Sequence, residues 1–167
     1  MPEPVTVRKL RPADRFLIRT ATWMNLNWCG ERLSFAQMDA APHLAGYYRF
    51  TPEDGDYGIV ATIGGEPTGV VWVRHFPTDG PGYGFVRAGV PELSVCVLPG
   101  YRGAGLGGAL VAAAVTEARH RYLSALSLSV EEGNPAWHLY ERLGFVPVAS
   151  ARHPGTLVLE LVPARPG

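Results

Sequence analysis

The period of the hydrophobic pattern changes repeatedly along this chain, and each change marks a predicted element. Val5 to Leu10 alternates apolar and polar residues and predicts an opening strand. Pro12 then stands at the start of a helical pattern running from Ala13 to about Asn27. Ser34 and Gln37 have capping-box spacing and start a second helix, which Pro42 should break into two short pieces ending near Tyr48. Pro52 to Asp56 carries turn chemistry. Tyr57–Ile63 and Thr68–His75 predict two strands of a hairpin around Gly64-Gly65-Glu66-Pro67. From Pro77 to Gly89 no period holds. The segment is rich in glycine and proline, with two aromatics and an arginine, and predicts a long loop that could cover a site.

The second half has sharper edges. Leu93 to Leu98 reads as a strand, and a helix follows from about Leu106 to Tyr122, with Val111, Val115, Ala118 and Tyr122 on one stripe. Ser124 to Val130 alternates serine with Leu126, Leu128 and Val130, which predicts a strand with one buried face. Asn134 caps a helix with Pro135 at its first position and Gly144 just past its end. Phe145–Val148 and Thr156–Val162 are the last strands, before a Pro/Arg tail. There are no repeats and no linker, so residues 1–167 are expected to form one mixed α/β domain.

Between the strand ending at Leu98 and the next helix lies Pro-Gly-Tyr-Arg-Gly-Ala-Gly-Leu-Gly-Gly, residues 99–108. Glycines allow close backbone approach to a ligand, and the following helix offers unpaired N–H groups at the positive end of its dipole. Arg102 adds a phosphate donor. The pattern predicts a cradle for a phosphorylated cofactor with a pyrophosphate. Gly103, Gly105 and Gly108 also fit the dinucleotide fingerprint, with Glu131 about 23 residues beyond in the place of a ribose-binding acid. Against that reading, four residues separate Leu98 from the first of these glycines, and about 36 residues after Glu131 cannot build a second half-sheet. No Gly-Lys-Ser or Gly-Lys-Thr marks a Walker loop.

Arg102-Gly103-Ala104-Gly105-Leu106-Gly107 resembles the R/Q-x-x-G-x-G/A signature of the GNAT superfamily of acyl-CoA-dependent N-acetyltransferases. Upstream, Pro91 to Pro99 looks like that family's central strand. Downstream, Asn134-Pro135-Ala136-Trp137-His138-Leu139-Tyr140-Glu141-Arg142-Leu143-Gly144-Phe145 is similar to its second signature, in family order and spacing. The resemblance places the CoA-binding core at residues 91–148. It implies a mixed central sheet of six to seven strands flanked by helices and splayed at the central strand. It also implies acetyl-CoA as cosubstrate, with no metal. Its function would be direct transfer of an acetyl group to a primary amine of a small molecule or peptide.

Bulk properties narrow the partners. Fifteen basic residues balance fifteen acidic ones, so no basic stripe points to nucleic acid or an anionic membrane. No apolar run approaches the ~20 residues of a membrane span, and the N-terminus lacks the pattern of a signal peptide. Cys29 and Cys96 have no metal or redox spacing. A cytoplasmic, reduced setting is expected. Homodimers are common in similar proteins, though nothing in the residues supports one here.

Acetyl transfer from a thioester to an amine sets three problems: holding the CoA pyrophosphate, deprotonating the amine and neutralising the departing thiolate. Backbone N–H groups of Arg102, Gly103, Ala104, Gly105, Leu106 and Gly107 suit the first. The resemblance lays the pantetheine arm along the central strand, on backbone groups of Val95 and Val97, with a further amide contact to Asn134. An alkyl ammonium with pKa ~10.4 needs a base, and Glu92, opening the central strand, is the candidate; Glu31 and Asp39 stand behind it. Tyr140 is the candidate proton donor to the thiolate. His138 points away from Tyr140 on a helix, and Trp23, Trp28, Trp72, Trp137 and His75 are read as packing residues or cleft walls. The opposing reading is a catalytically silent acyl-CoA-binding module or sensor, which the presence of both Glu92 and Tyr140 disfavours.

Overall fold

The computed structural model describes residues 3–161. Seven strands form a single sheet, β1 (Val5–Lys9), β2 (Tyr57–Ile63), β3 (Glu66–Arg74), β4 (Glu92–Val97), β5 (Ala125–Ser129), β6 (Val146–Pro147) and β7 (Thr156–Glu160), in the order β1-β2-β3-β4-β5-β7-β6. The helices are α1 (Arg15–Leu26), α2 (Phe35–Ala40), α3 (Pro42–Ala45), α4 (Leu106–His120) and α5 (Ala136–Arg142).

Local chemistry sets these boundaries. Ser34 accepts from the Gln37 N–H at 3.1 Å while the Gln37 side chain accepts from Ser34 N–H at 2.8 Å, the reciprocal cap that starts α2. Pro42 separates α2 from α3 as expected. A two-glycine turn, Gly64 and Gly65 both at positive φ, closes the β2–β3 hairpin and lets β3 begin at Glu66, earlier than the pattern suggested. Asn134 Oδ1 accepts from the Ala136 N–H at 3.0 Å, the predicted cap of α5.

Each sheet face is covered by helices, giving two cores. Val71, Val73, Leu93, Leu126, Leu128 and Phe145 meet Leu110, Val111 and Ala114 of α4. On the opposite face Val60, Val70, Trp72 and Cys96 meet Ile18 and Ala21 of α1 and Met38 of α2. Burial at this density supplies most of the folding free energy, at about 25 cal/mol per Å² of apolar area.

Two expectations need correction. Tyr122 does not continue the α4 stripe: the helix ends at His120, and Tyr122 lies beyond it at φ 57°, 88% exposed. Ser127 is fully buried, so β5 has two buried faces. Val5 and Val7 are exposed on the edge strand β1, so its alternation marks a strand but not a buried face. Val162 and the Pro/Arg tail lie outside the described residues.

The feature that positions the site is a split in the sheet. Parallel strands β4 and β5 share one register pair, Glu92 with Ser127, and the Ser127 N–H donates to Pro91 at 3.0 Å. Beyond that point they diverge, the splay expected of the central strand.

Candidate active site

The splay opens a cleft of about 900 Å³. Glu92, Val95, Val97, Arg102, Gly107, Asn134 and Tyr140, all singled out in the sequence, line it together.

At one end is the glycine loop. Gly103 and Gly105 have φ 86° and 82°, and a side chain would meet no atom within 4 Å at either. These positions therefore need glycine for backbone conformation, since β-carbons resist positive φ. Gly105 is also the N-terminal cap of α4, so the first-turn N–H groups from Leu106 onward lack intrahelical partners, and Gly107 of that turn lines the cleft. This arrangement suits a pyrophosphate.

Along the cleft runs the unpaired edge of β4. The Val95 carbonyl accepts from Asn25 Nδ2 at 3.1 Å, and the Val97 carbonyl accepts from Arg102 Nε at 2.9 Å. Both are backbone acceptors that the splay withdraws from the sheet ladder, as an added extended ligand would require.

At the closed end sits Glu92, 5% exposed. The Tyr47 hydroxyl donates to its Oε1 at 2.6 Å, and Oε2 has no partner among the described residues. Burial pushes the carboxyl up to about 7; Tyr47 and the Gly84 backbone N–H offset only part of that. The Tyr47 phenol is itself pushed up by burial and then by the neighbouring carboxylate, so it stays a donor. The loop between β3 and β4 closes over this pair. The Tyr83 N–H donates to the Tyr47 hydroxyl at 2.8 Å. A β-carbon on Gly82 would lie 2.1 Å from Glu92 Oε2, and one on Gly84 would lie 2.9 Å from its Cδ. The glycines of this loop let its backbone lie directly on the carboxylate.

Tyr140 is buried, its ring edge-on to Phe145 at 6.1 Å. Burial, with a smaller contribution from Cys96, pushes its phenol up to about 12. It holds its proton at neutral pH.

The remaining candidates fall into place. Asp39 is fixed by Arg19 at 2.6 Å and by the Tyr48 hydroxyl, which together hold its carboxyl down to about 2; it is a structural anion and is set aside as a base. Glu31 is exposed on the loop after α1. Trp72 is buried in the cleft wall and donates to the Tyr47 carbonyl at 2.8 Å. Trp23 stacks on Phe35 at 4.6 Å, Trp137 packs on the α4-side core, and His138 is exposed. Trp28 lines the cleft. Glu131, read above as a possible ribose acid, instead takes a bidentate pair from Arg32 at 2.6 and 3.0 Å. His75 donates its backbone N–H to Asp56 at 2.7 Å.

No sequence motif singles out Tyr47 or Asn25. Tyr47 lies in a short 3-10 turn after α3, and only the chain's path over the sheet brings it to Glu92. The one legible trace was the Gly82-Tyr83-Gly84 spacing within a loop already expected to cover a site.

The sequence matches the acetyltransferase (GNAT) family over residues 20–145. No match to a curated protein is found. Among solved structures, yncA of Salmonella typhimurium, determined with its cofactor acetyl-CoA, superposes with TM-score 0.67 at 23% identity over 98% of each chain. A ribosomal-protein-alanine N-acetyltransferase of Brucella melitensis gives TM-score 0.63 at 25% identity, covering 93% of this chain and 99% of its own. A GNAT family acetyltransferase of the same organism, in complex with acetyl-CoA, gives 0.62 at 22%, covering 98% and 92%. With its glycine cradle, splayed sheet and a family match across most of its length, this chain belongs to the acetyltransferase (GNAT) family.

Proposed function

We propose that the chain moves an acetyl group from acetyl-CoA directly to a primary amine of a small molecule or peptide. The observation that carries this reading is the placement of Glu92: a buried carboxyl with one oxygen unpartnered among the described residues, lining the same cleft as Arg102 and Gly107 of the glycine loop, with burial pushing it up to about 7. A base poised near the working pH combines a large ionised fraction with useful basicity. The open positions at Gly103 and Gly105, with the free N–H groups of α4, fit the pyrophosphate of the cosubstrate.

Acetyl-CoA supplies the activated thioester. Glu92 accepts the proton that the acceptor ammonium must lose before its nitrogen forms the new C–N bond. As the C–S bond breaks, negative charge develops on sulfur, and Tyr140 donates a hydrogen bond to it. A phenol held at about 12 keeps its proton more tightly than an ordinary thiol near 8.5, so this donor stabilises the thiolate, which is then protonated through water by the second proton that the nitrogen loses once the C–N bond has formed. Val95 and Val97 offer backbone groups to the pantetheine arm, Asn134 an amide contact, and the loop from Arg102 to Gly107 the phosphate site. Cys96 and His153 both line the cleft, but the Cys96 thiol contacts Met24 Sδ and the Val97 carbonyl, and burial pushes it up to about 11, which favours transfer in a ternary complex over an acyl-enzyme.

The test is release of free CoA thiol from acetyl-CoA against a panel of amines, polyamines, amino acids, aminoglycosides and a peptide with N-terminal alanine. One acceptor should drive turnover and emerge with a single acetyl group on nitrogen. Tight CoA binding with no turnover on any amine would instead identify a silent acyl-CoA-binding module.

A further inference from the structure

Glu92 has a cation for a neighbour and does not use it. Arg74 on β3 is the direct register partner of Glu92 on β4. Directly opposed residues of an antiparallel pair project from the same face, with β-carbons about 4.5–5.5 Å apart, well within an arginine's reach. Both side chains are buried, at 5% exposure each. An isolated carboxylate beside a guanidinium would ordinarily ion-pair with it.

Arg74 turns the other way. On its opposite flank β2 begins at Tyr57, paired with Val73, so the preceding residue Asp56 stands beside Arg74 across the sheet. Arg74 thus lies between two carboxylates on three neighbouring strands. Its Nε donates to Asp56 Oδ2 at 2.8 Å, another guanidinium N–H donates to the Gly46 carbonyl, and the group lies 5.0 Å from the centre of the Phe76 ring.

Asp56 is built to hold it. Its side chain is fully buried and also accepts from the backbone N–H groups of His75 at 2.7 Å and Thr51 at 2.9 Å. Burial alone would raise its carboxyl; the His75 and Arg74 side chains with these two N–H groups outweigh that and hold it below its usual range.

We propose that Asp56 is a positioning residue for the acetyl-transfer base: by holding the Arg74 guanidinium on the β2 side it denies Glu92 a counterion, leaving Glu92 only neutral donors, the Tyr47 hydroxyl and the Gly84 backbone N–H. This rests on the reading of Glu92 as the base. A Glu92–Arg74 pair would be a settled ion pair and a poor base; an Asp56–Arg74 pair leaves the adjacent carboxylate free to take a proton.

The other groups around Glu92 do not replace the missing cation. Tyr47 comes from the turn after α3, Ser127 from β5, and Gly82 and Gly84 from the covering loop. Arg87, farther along that loop, is paired with Glu160 at 2.9 Å. His153, on the cleft wall, has its ring 5.0 Å from that of Tyr83.

The decisive experiment follows the Glu92 side-chain carboxyl by carbon-13 NMR through a pH titration of the full chain, with Glu92→Gln assigning the resonance. Asp56→Asn releases Arg74, and the Glu92 midpoint should fall by at least one pH unit, with the acid limb of kcat/KM moving alongside it. Asp56→Asn/Arg74→Gln removes both charges, and the midpoint should return to within half a unit of wild type. Arg74→Gln alone should also leave it there. A midpoint unmoved in Asp56→Asn, or lowered equally in the double variant, overturns the proposal. If Asp56→Asn does not fold, Arg74→Gln decides: a midpoint raised by a unit or more would mean that Arg74 already supports the Glu92 charge. A shift in the NMR midpoint without one in the rate profile would leave the electrostatic relation standing and contradict the base assignment instead.

Discussion

Glu92 pairs with Ser127 at the single register position that joins β4 to β5, so the candidate base sits at the apex of the splay. Sheet and cleft meet at this point. It is also where polar atoms are least satisfied: Glu92 Oε2 and Ser127 Oγ are both buried without a partner among the described residues. An unsatisfied buried polar group costs about 1–3 kcal/mol. Such costs gathered beside a cleft, with a strongly shifted carboxyl, mark a place arranged for chemistry over stability.

That cost has a sign and a pH window. Glu92 binds its proton more tightly in the folded state, near 7, than at its ordinary 4.5. Folding is therefore unpenalised at low pH, loses stability as pH rises between those values, and carries the full penalty above 7, on the order of 3 kcal/mol. Glu92→Gln cannot ionise. Thermal unfolding should show it more stable than wild type at pH 8 and no more stable at pH 4.5. A gain equal at both pH values would detach the effect from ionisation.

Tyr140→Phe removes one hydroxyl and leaves the ring against Phe145. The chemical step should slow by ~10²–10³-fold, the usual cost of one donor to a developing anion, with little change in CoA affinity. Acyl donors with more acidic leaving thiols should show a smaller defect. Single-turnover kinetics across a donor series measures this, and an unchanged rate of chemistry would return Tyr140 to a packing role.

Much of this site is legible in the sequence because its chemistry is local. The loop from Arg102 to Gly107 and the cap at Asn134 are set by residues within a few positions of one another, so their signals survive in one dimension. Asp56, Arg74 and Tyr47 carry no such signal. Their meaning comes from strand register and from a crossover that brings residue 47 over residue 92. Tyr122 failed for a related reason: its spacing fits the α4 stripe, but the helix ends at His120 and Tyr122 itself takes the left-handed conformation beyond it.

At Gly105 the constraint is backbone conformation, since a β-carbon there would meet no atom within 4 Å. Gly105→Val should disfavour the φ of 82° and misdirect the first N–H groups of α4. Calorimetric titration should show CoA affinity falling at least tenfold, and the rise in melting temperature with acetyl-CoA should shrink in parallel. Affinity equal to wild type would remove the loop from the phosphate site.

Gly84 presents the opposite constraint. A β-carbon would lie 2.9 Å from both Glu92 Cδ and the Leu128 backbone, and the backbone cannot yield. Gly84→Ala should lift the loop, admit water to Glu92 and draw its titration toward the ordinary range. The acid limb of the rate profile should move down in pH while CoA affinity stays within twofold; a wild-type limb would show that the loop does not control the dryness of the site.

The central claim is that Glu92 takes the acceptor's proton, and the pH dependence of kcat/KM, wild type against Glu92→Gln, tests it most directly. Wild type should rise through an acid limb centred near 7, matching the buried carboxyl. In Glu92→Gln that limb should vanish, leaving a rate at pH 7 reduced by ~10²–10⁴-fold that climbs only as the acceptor amine deprotonates itself. A variant that keeps the wild-type limb and near-full activity at pH 7 would contradict the account.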